Sequence, residues 1–402
     1  MAVLNPPKAP AAQDPRAAVE KALGNPQGAD LPSISKVSKI NIIVDDATRV
    51  TPTKLLLSVI LPKLQNLGAR QDQISISIAN GLHEISDQQT VSNLLGDDVA
   101  TSYRVVNNNG SDTSVFADFG KTGRGTPVEV NEHVTDCDLR ILTGIVEPHQ
   151  LAGYSGGVKA MIPGVSSEKT ITANHSLMLN ENVRVGKVEG NSLREDLEEA
   201  AALTHGSGQN FIVNTVVNED REIVHVVAGD EIQAHRKAVA LSREISSVSV
   251  QEKADVVIAS PGGYPRDLNL YQSQKALAHI EGIIKKNGVA VLLAECRNGT
   301  GSKTCEEWMT RGAQPADIIR RLKTEGFNMG AHKAYQLARF MVKANIVLVS
   351  NLPRELVESM HLHTAANLED AYREALDIVG SDARVVVCPY AAATLPDLSP
   401  QR

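Results

Sequence analysis

"ADVVIASPGGYPRDLNLYQSQKALAHI", residues 254–280, decides the fold. An apolar, β-branched run stops at a glycine–proline turn, and a helical pattern through "LYQSQKALAHI" follows. Downstream come the strand "GVAVLLAE" (288–295), a helical region to about Val342, and the strand "NIVLVS" (345–350). A helix around "LEDAYREALDIV" (368–379) and the strand "RVVVCP" (384–389) complete the unit. Strands alternating with helices imply a parallel sheet with crossover helices. Upstream the alternation recurs. "KINIIVDD" (39–46) reads as a buried strand, and "TPTKLLLSVILPKLQNLG" (51–68) as a helix with a Thr51 N-cap and Pro52 in its first turn. "ISISIANG" (74–81) reads as an alternating strand ending at Gly81, "LRILTGI" (139–145) as another. "FIVNTVVN" (211–218) and "REIVHVVAGD" (221–230) read as a hairpin turning near Glu219.

The fold class is therefore α/β: two α/β domains with largely parallel, Rossmann-like sheets and the active site in the cleft between them. The expected organisation is an N-terminal arm (1–35) with one short helix around Arg16–Leu23, an α/β domain (36–250), a second α/β domain (251–390) and a C-terminal tail (391–402). Aromatic residues are only 3% of the chain, so Val, Ile, Leu and Ala must fill the core, as suits parallel sheets covered on both faces.

With 40 Lys+Arg against 47 Asp+Glu and a net charge of -7, there is no basic run to neutralise phosphates. Nucleic acid is excluded as a partner on that ground. No apolar stretch has the length of a membrane span, and the N-terminus lacks the apolar region of a signal peptide. The four cysteines (137, 296, 305 and 388) lack metal-ligand spacing and read as buried thiols of a cytoplasmic protein.

In open α/β sheets ligands bind beyond the carboxyl ends of the strands, and the unusual polar residues fall there. Asp45, Asp46, Thr48 and Arg49 follow the first strand, and His83 the second. His149 follows "LRILTGI" inside "GIVEPHQLAGYSGGVKAMIPG" (144–164), and Tyr264 to Lys275 follow "ADVVIAS". An imidazole at a strand end suits proton transfer at neutral pH, although a lone histidine is as readily a surface residue. Gly156 and Gly157 read either as a flexible turn or as backbone approached closely by a ligand. Lys159, in an apolar run, reads as a surface lysine or a partly desolvated nucleophile. His175 reads as lying just past a helix opened by "VSSEKTI". Neither a Walker A loop nor the dinucleotide glycine fingerprint is present, which argues against a nicotinamide dehydrogenase. A zinc hydrolase lacks its ligand spacing.

Taken together, "DDATR" (45–49), "GLH" (81–83), "EPHQLAGYSGGVKAMIPG" (147–164), "NHS" (174–176) and "PGGYPRDLNLYQSQK" (261–275) resemble the lactate racemase family, which uses a nickel-pincer nucleotide. The resemblance spans roughly Ile40 to Val387. It implies an isomerase that inverts C2 of a 2-hydroxy acid by reversible hydride transfer to the cofactor, with His83 and His149 as the catalytic acid/base pair. It places Arg49, Tyr271, Gln272 and Lys275 on the substrate. It places Lys159, His175, Asp46, Thr48, Gly156 and Gly157 on the cofactor, with His175 as the metal ligand and Lys159 as a possible tether. It implies cofactor-biosynthesis enzymes as partners. The chain departs from the family at Val50, where proline is common, and at Glu84, where a basic residue often follows the first histidine. Glu84 points away from lactate, toward a sugar acid such as an aldonate. A non-catalytic carrier of the cofactor is the other reading, and retention of both His83 and His149 speaks against it.

Overall fold

The computed structural model describes residues 1–312, 314–328 and 330–398. These divide into two compact units: 9–183 with 187–242, and 243–398 with 1–8 and 184–186. Residues 1–8 thus group with the C-terminal unit, rather than with the rest of the 1–35 segment. No helix among the described residues is long and apolar enough to cross a membrane.

In the N-terminal unit six strands form one sheet. They are β1 (Ile40–Asp45), β2 (Ile74–Ala79), β3 (Arg104–Asn107), β4 (Leu139–Ile145), β5 (Gln209–Val217) and β6 (Ile223–Gly229). Their order is β6-β5-β4-β1-β2-β3. Every pair is parallel except the β5–β6 hairpin. β1 and β4 are buried along nearly their whole length, as expected of strands covered on both faces. β2 ends at Ala79, and Asn80 and Gly81 belong to the turn after it. Its alternation does not leave one face in water. Ser75 and Ser77 are buried and accept hydrogen bonds from the Asn41 amide at 2.9 and 3.0 Å.

Helix α1 (Pro15–Gly24), capped by Asp14, buries Val19, Ala22 and Leu23 in the same core as α2 (Thr53–Asn66). The flanking chain donates from Ala12 to Ile223 and from Gln27 to Ala228, covering the β6 edge. α2 departs from expectation at its start. Thr51 does not cap it; its hydroxyl donates to Asp45, and the N-cap is Pro52 without a side-chain bond. Within α2, Pro62 cannot donate to the Ser58 carbonyl, and Arg16 supplies that donor at 3.2 Å. Three further helices matter for the site: α3 (Glu168–Ser176), α4 (Ser192–Leu203) and α5 (Gln233–Ser246).

The C-terminal unit holds β7 (Ala254–Ala259), β8 (Ile284–Leu293), β9 (Asn345–Val349), β10 (His363–Thr364) and β11 (Val385–Cys388). Together with Ala2–Val3 they make a wholly parallel sheet in the order Ala2–Val3, β11, β7, β8, β9, β10. The expected helix through "LYQSQKALAHI" is two short ones, α6 (Leu270–Ser273) and α7 (Lys275–Ile280), joined at Gln274. In the 391–402 tail, Leu395–Leu398 is a strand paired in parallel with Ser247–Val250; 399–402 lie outside the described residues.

Phe211 on β5 is fully buried in the N-terminal core. Phe211→Ala is expected to lower unfolding free energy by about 3–5 kcal/mol, read as a reduced urea midpoint. An unchanged midpoint would show that this core does not carry the unit.

Candidate functional site

β1 ends in two adjacent carboxylates, and the turn after it is organised around the second. Asp46 is 5% exposed. Its Oδ1 accepts from the Thr48 main-chain N–H at 2.7 Å and from the Thr48 hydroxyl, an Asx-turn that folds the chain back. Its Oδ2 accepts from His83 Nδ1 at 2.6 Å. His83 itself is placed by the turn after β2, its N–H donating to the Asn80 carbonyl at 2.8 Å. Burial pushes the Asp46 carboxyl up, but the hydrogen bond and charge of His83, the nearby Arg49 and Thr48 outweigh it and hold it down to about 2. An ionised Asp46 keeps the proton of His83 on Nδ1 and leaves Nε2 as the ring's acceptor. Asp45 behaves oppositely. Burial raises its pKa, over the opposing pull of the Thr51 hydroxyl and Arg49.

The second cluster follows β4. Pro148–His149 pairs antiparallel with Gly153–Tyr154 in a tight hairpin. Inside it, His149 Nδ1 accepts from the main-chain N–H of Leu151 and Ala152 at 3.2 and 3.1 Å. Its Nε2 lies 3.2 Å from Lys159 Nζ. Lys159 sits on a 3-10 turn, Gly157–Ala160, whose position is set by buried polar groups. Asn214 Oδ1 accepts from the Gly157 N–H at 2.7 Å, and His235 donates from Nε2 to the Ser155 carbonyl at 2.9 Å. Behind them the fully buried Arg194 binds Glu198, which also takes Arg236. Burial, then the neighbouring Arg194, holds His235 neutral.

These neighbours explain the two glycines. A Cβ on Gly156 (φ +73°) lies 2.5 Å from Val146 Cγ2, and one on Gly157 (φ +61°) lies 2.8 Å from Arg194 Nη2. Glycine at both positions is thus required by protein packing, without any ligand.

His175 is in the last turn of α3, inside the helix and not past it. Ser167 caps that helix, and Asn174 pins its end by donating to Asp196 and to the Leu193 carbonyl at 2.8 and 3.1 Å. Asp196, fully buried, also takes the hydroxyls of Thr122 and Thr126. In the C-terminal unit Asn269 caps α6, which carries Tyr271 and Gln272. Lys275 donates to the Gln272 side-chain carbonyl, and the Lys333 ammonium stands 4.6 Å from the Tyr271 ring centre.

The structure thus joins Asp46, Thr48 and His83 in one cluster and His149 and Lys159 in another, with Arg49 acting on both Asp45 and Asp46. Tyr271, Gln272 and Lys275 form a group of their own. Sequence reading missed Asn214, Arg194, Glu198, His235 and Asp196. Arg194 and Glu198 are spaced i, i+4, a pattern that surface helices share, so nothing in the pattern marked them as buried.

Imidazoles and an amine thus follow the carboxyl ends of parallel strands in one of two α/β units. Family models for the lactate racemase N-terminal and C-terminal domains match residues 1–186 and 249–395. A lactate racemase of Lactiplantibacillus plantarum is 31% identical over 92% of this chain and 88% of its own length. One from Thermoanaerobacterium thermosaccharolyticum is 30% identical over the same shares. The apoprotein structure of a lactate racemase from the latter organism superposes with TM-score 0.92 at 29% identity, covering 96% of this chain and 94% of that one. A crystal structure of a Thermotoga maritima protein shares the fold at TM-score 0.71 and 18% identity, over 96% and 97% of the two chains. The chain belongs to the lactate racemase family and is an isomerase, a racemase.

Because folding depresses the Asp46 pKa, its contribution to stability is fully present above the unfolded value near 4. It is lost as pH falls through about 2. Asp46→Asn is expected to cost ~1–2 kcal/mol at pH 7, with the difference from the parent mostly lost by pH 2 and gone below it. Urea unfolding across that range reads it. Equal stability at pH 7 would contradict the arrangement.

Proposed function

We propose that this racemase inverts the C2 centre of a 2-hydroxy acid in the cytoplasm, with His83 and His149 as acid and base and a nickel-pincer nucleotide as cofactor. The observation that carries the reading is the pair of differently held imidazoles, one on Asp46 and one beside Lys159. The residues present fit such a cofactor. Among the described residues there is no group of three or more His, Cys, Asp and Glu able to hold a metal ion. The family resemblance implies that the metal's other donors come from an organic ligand, and His175 would complete its shell. Soft sulfur with imidazole suits nickel, and the Lys159 amine suits a thioacyl group. The chemistry such a group supplies when bound is a reversible two-electron acceptor for the hydrogen on C2.

The rest is the work of this chain. Removing the C2 proton directly places a second negative charge beside an ionised carboxylate, so the histidines act on oxygen instead. His83 Nε2 takes the hydroxyl proton while Asp46 holds the ring and stabilises the imidazolium. His149 serves the oxygen on the opposite face. Arg49 binds the carboxylate through its paired N–H groups, and Gln272 and Lys275 are further carboxylate ligands. Thr48 keeps the Asp46 carboxylate oriented. Two relatives carry the name lactate racemase, yet Glu84, exposed beside His83, favours a hydroxylated chain over a second carboxylate.

The test uses chain co-produced with the cofactor-making enzymes and nickel. It is given single enantiomers from lactate and malate to gluconate, and chiral inversion is followed without added NAD. Inversion of one acid is expected, reduced 10²–10⁴-fold in His83→Ala and in His149→Ala. Full activity in either variant overturns the assignment. Cofactor bound without any inversion points to a carrier.

A further inference from the structure

The hairpin around His149 also decides where its proton sits. The N–H groups of Leu151 and Ala152 both point at Nδ1, from 3.2 and 3.1 Å. A peptide nitrogen donates and does not accept, so Nδ1 carries a lone pair and the proton of the neutral ring is on Nε2. Nε2 is the atom 3.2 Å from Lys159 Nζ. The ring is then the donor in that contact. An ammonium has three donors and no lone pair, so only a neutral amine can accept. We infer that the Leu151 and Ala152 amides fix His149 as its Nε2–H tautomer, and that His149 thereby holds Lys159 as a neutral, nucleophilic amine. His149 is thus a positioning residue for Lys159, in addition to the acid/base part proposed for it.

The surroundings bear on the same balance. The Lys159 turn packs on β1, β4, β5 and α4. β1 brings Asp45, and α4 brings Arg194 with its partner Glu198. From α5 comes His235, with Arg236 beside it. At this end β4 and β5 bring Gly144 and Asn214, which carry no charge. Asp45 favours an ammonium, and its burial, which favours the neutral carboxyl, weakens that pull. Arg194 and Arg236 oppose a further cation.

The experiment uses the full chain produced without the cofactor-making enzymes, and cyanate as the probe. The amine nitrogen adds to the carbon of isocyanic acid and its proton passes to the former cyanate nitrogen, giving a urea with no leaving group. Peptide mass mapping follows the rate at Lys159 and at the exposed Lys54 and Lys121 against pH. Divided by the isocyanic acid present at each pH, each rate levels off where that amine is deprotonated, independently of access. Lys159 is expected to level off at least about one pH unit below the other two. His149→Phe should bring it up to theirs, and His149→Gln, which keeps an N–H of similar reach, should restore the lower value. Nitrogen-15 NMR of the histidines in the unsubstituted chain reads the tautomer without relying on any variant. A proton on Nδ1 of His149, or a Lys159 profile matching Lys54, overturns the inference. Neither readout involves turnover, so the racemase reading can fail or stand separately.

Discussion

Ending a strand buried on both faces with Asp45 and Asp46 takes two neighbouring carboxylates out of water, and the N-terminal unit is arranged around compensating them. The two cannot be treated alike at that separation. Asp46 receives the hydrogen bond of His83, a turn of its own through Thr48, and the field of Arg49, so it stays ionised to about pH 2. Asp45 receives one hydroxyl, from Thr51, and burial drives it toward the neutral acid. The helix after the turn yields its expected threonine cap to this purpose. Local helix propensity gives way to the cost of an uncompensated buried charge.

A second consequence is the contrast between the imidazoles. His83 faces a carboxylate and is set to accept a proton at Nε2. His149 faces two peptide donors at Nδ1, which in the inference drawn above leave its proton on Nε2. The loop holding the second ring is built from beneath, by Asn214, His235 and Arg194, which crowd Gly156 and Gly157, with Glu198 and Arg236 behind them. A residue that touches no ligand there still governs where the Lys159 amine lies.

Much of this was legible in the chain. Runs such as "INIIVD" and "ADVVIA" read as buried parallel strands because β-branched residues fill both faces, and polar residues picked out at strand ends do gather, as Asp46 with His83 and His149 with Lys159. Less legible was what the side chains do to each other. Thr51 reads as a cap until Asp45 is seen to need it. Ser75 and Ser77 read only as the polar half of an alternating strand until Asn41 is found donating to both. Gly156 and Gly157 read as a flexible turn or a close approach to a ligand, and the structure adds that a Cβ there would meet Val146, Arg194 and His235. Apart from Thr51, whose partner Asp45 is only six residues back, each case turns on neighbours distant in the chain, which periodicity and spacing do not encode.

The central claim is that both histidines work on the substrate oxygen, and that the hydrogen on C2 never becomes a solvent proton. The measurement that tests it most directly is inversion of a substrate deuterated at C2, in ordinary water, by the cofactor-loaded protein. The account predicts that product of opposite configuration keeps its deuterium, seen as unchanged mass in the separated enantiomer. Replacement by protium at each inversion would show a base working on carbon and contradict it.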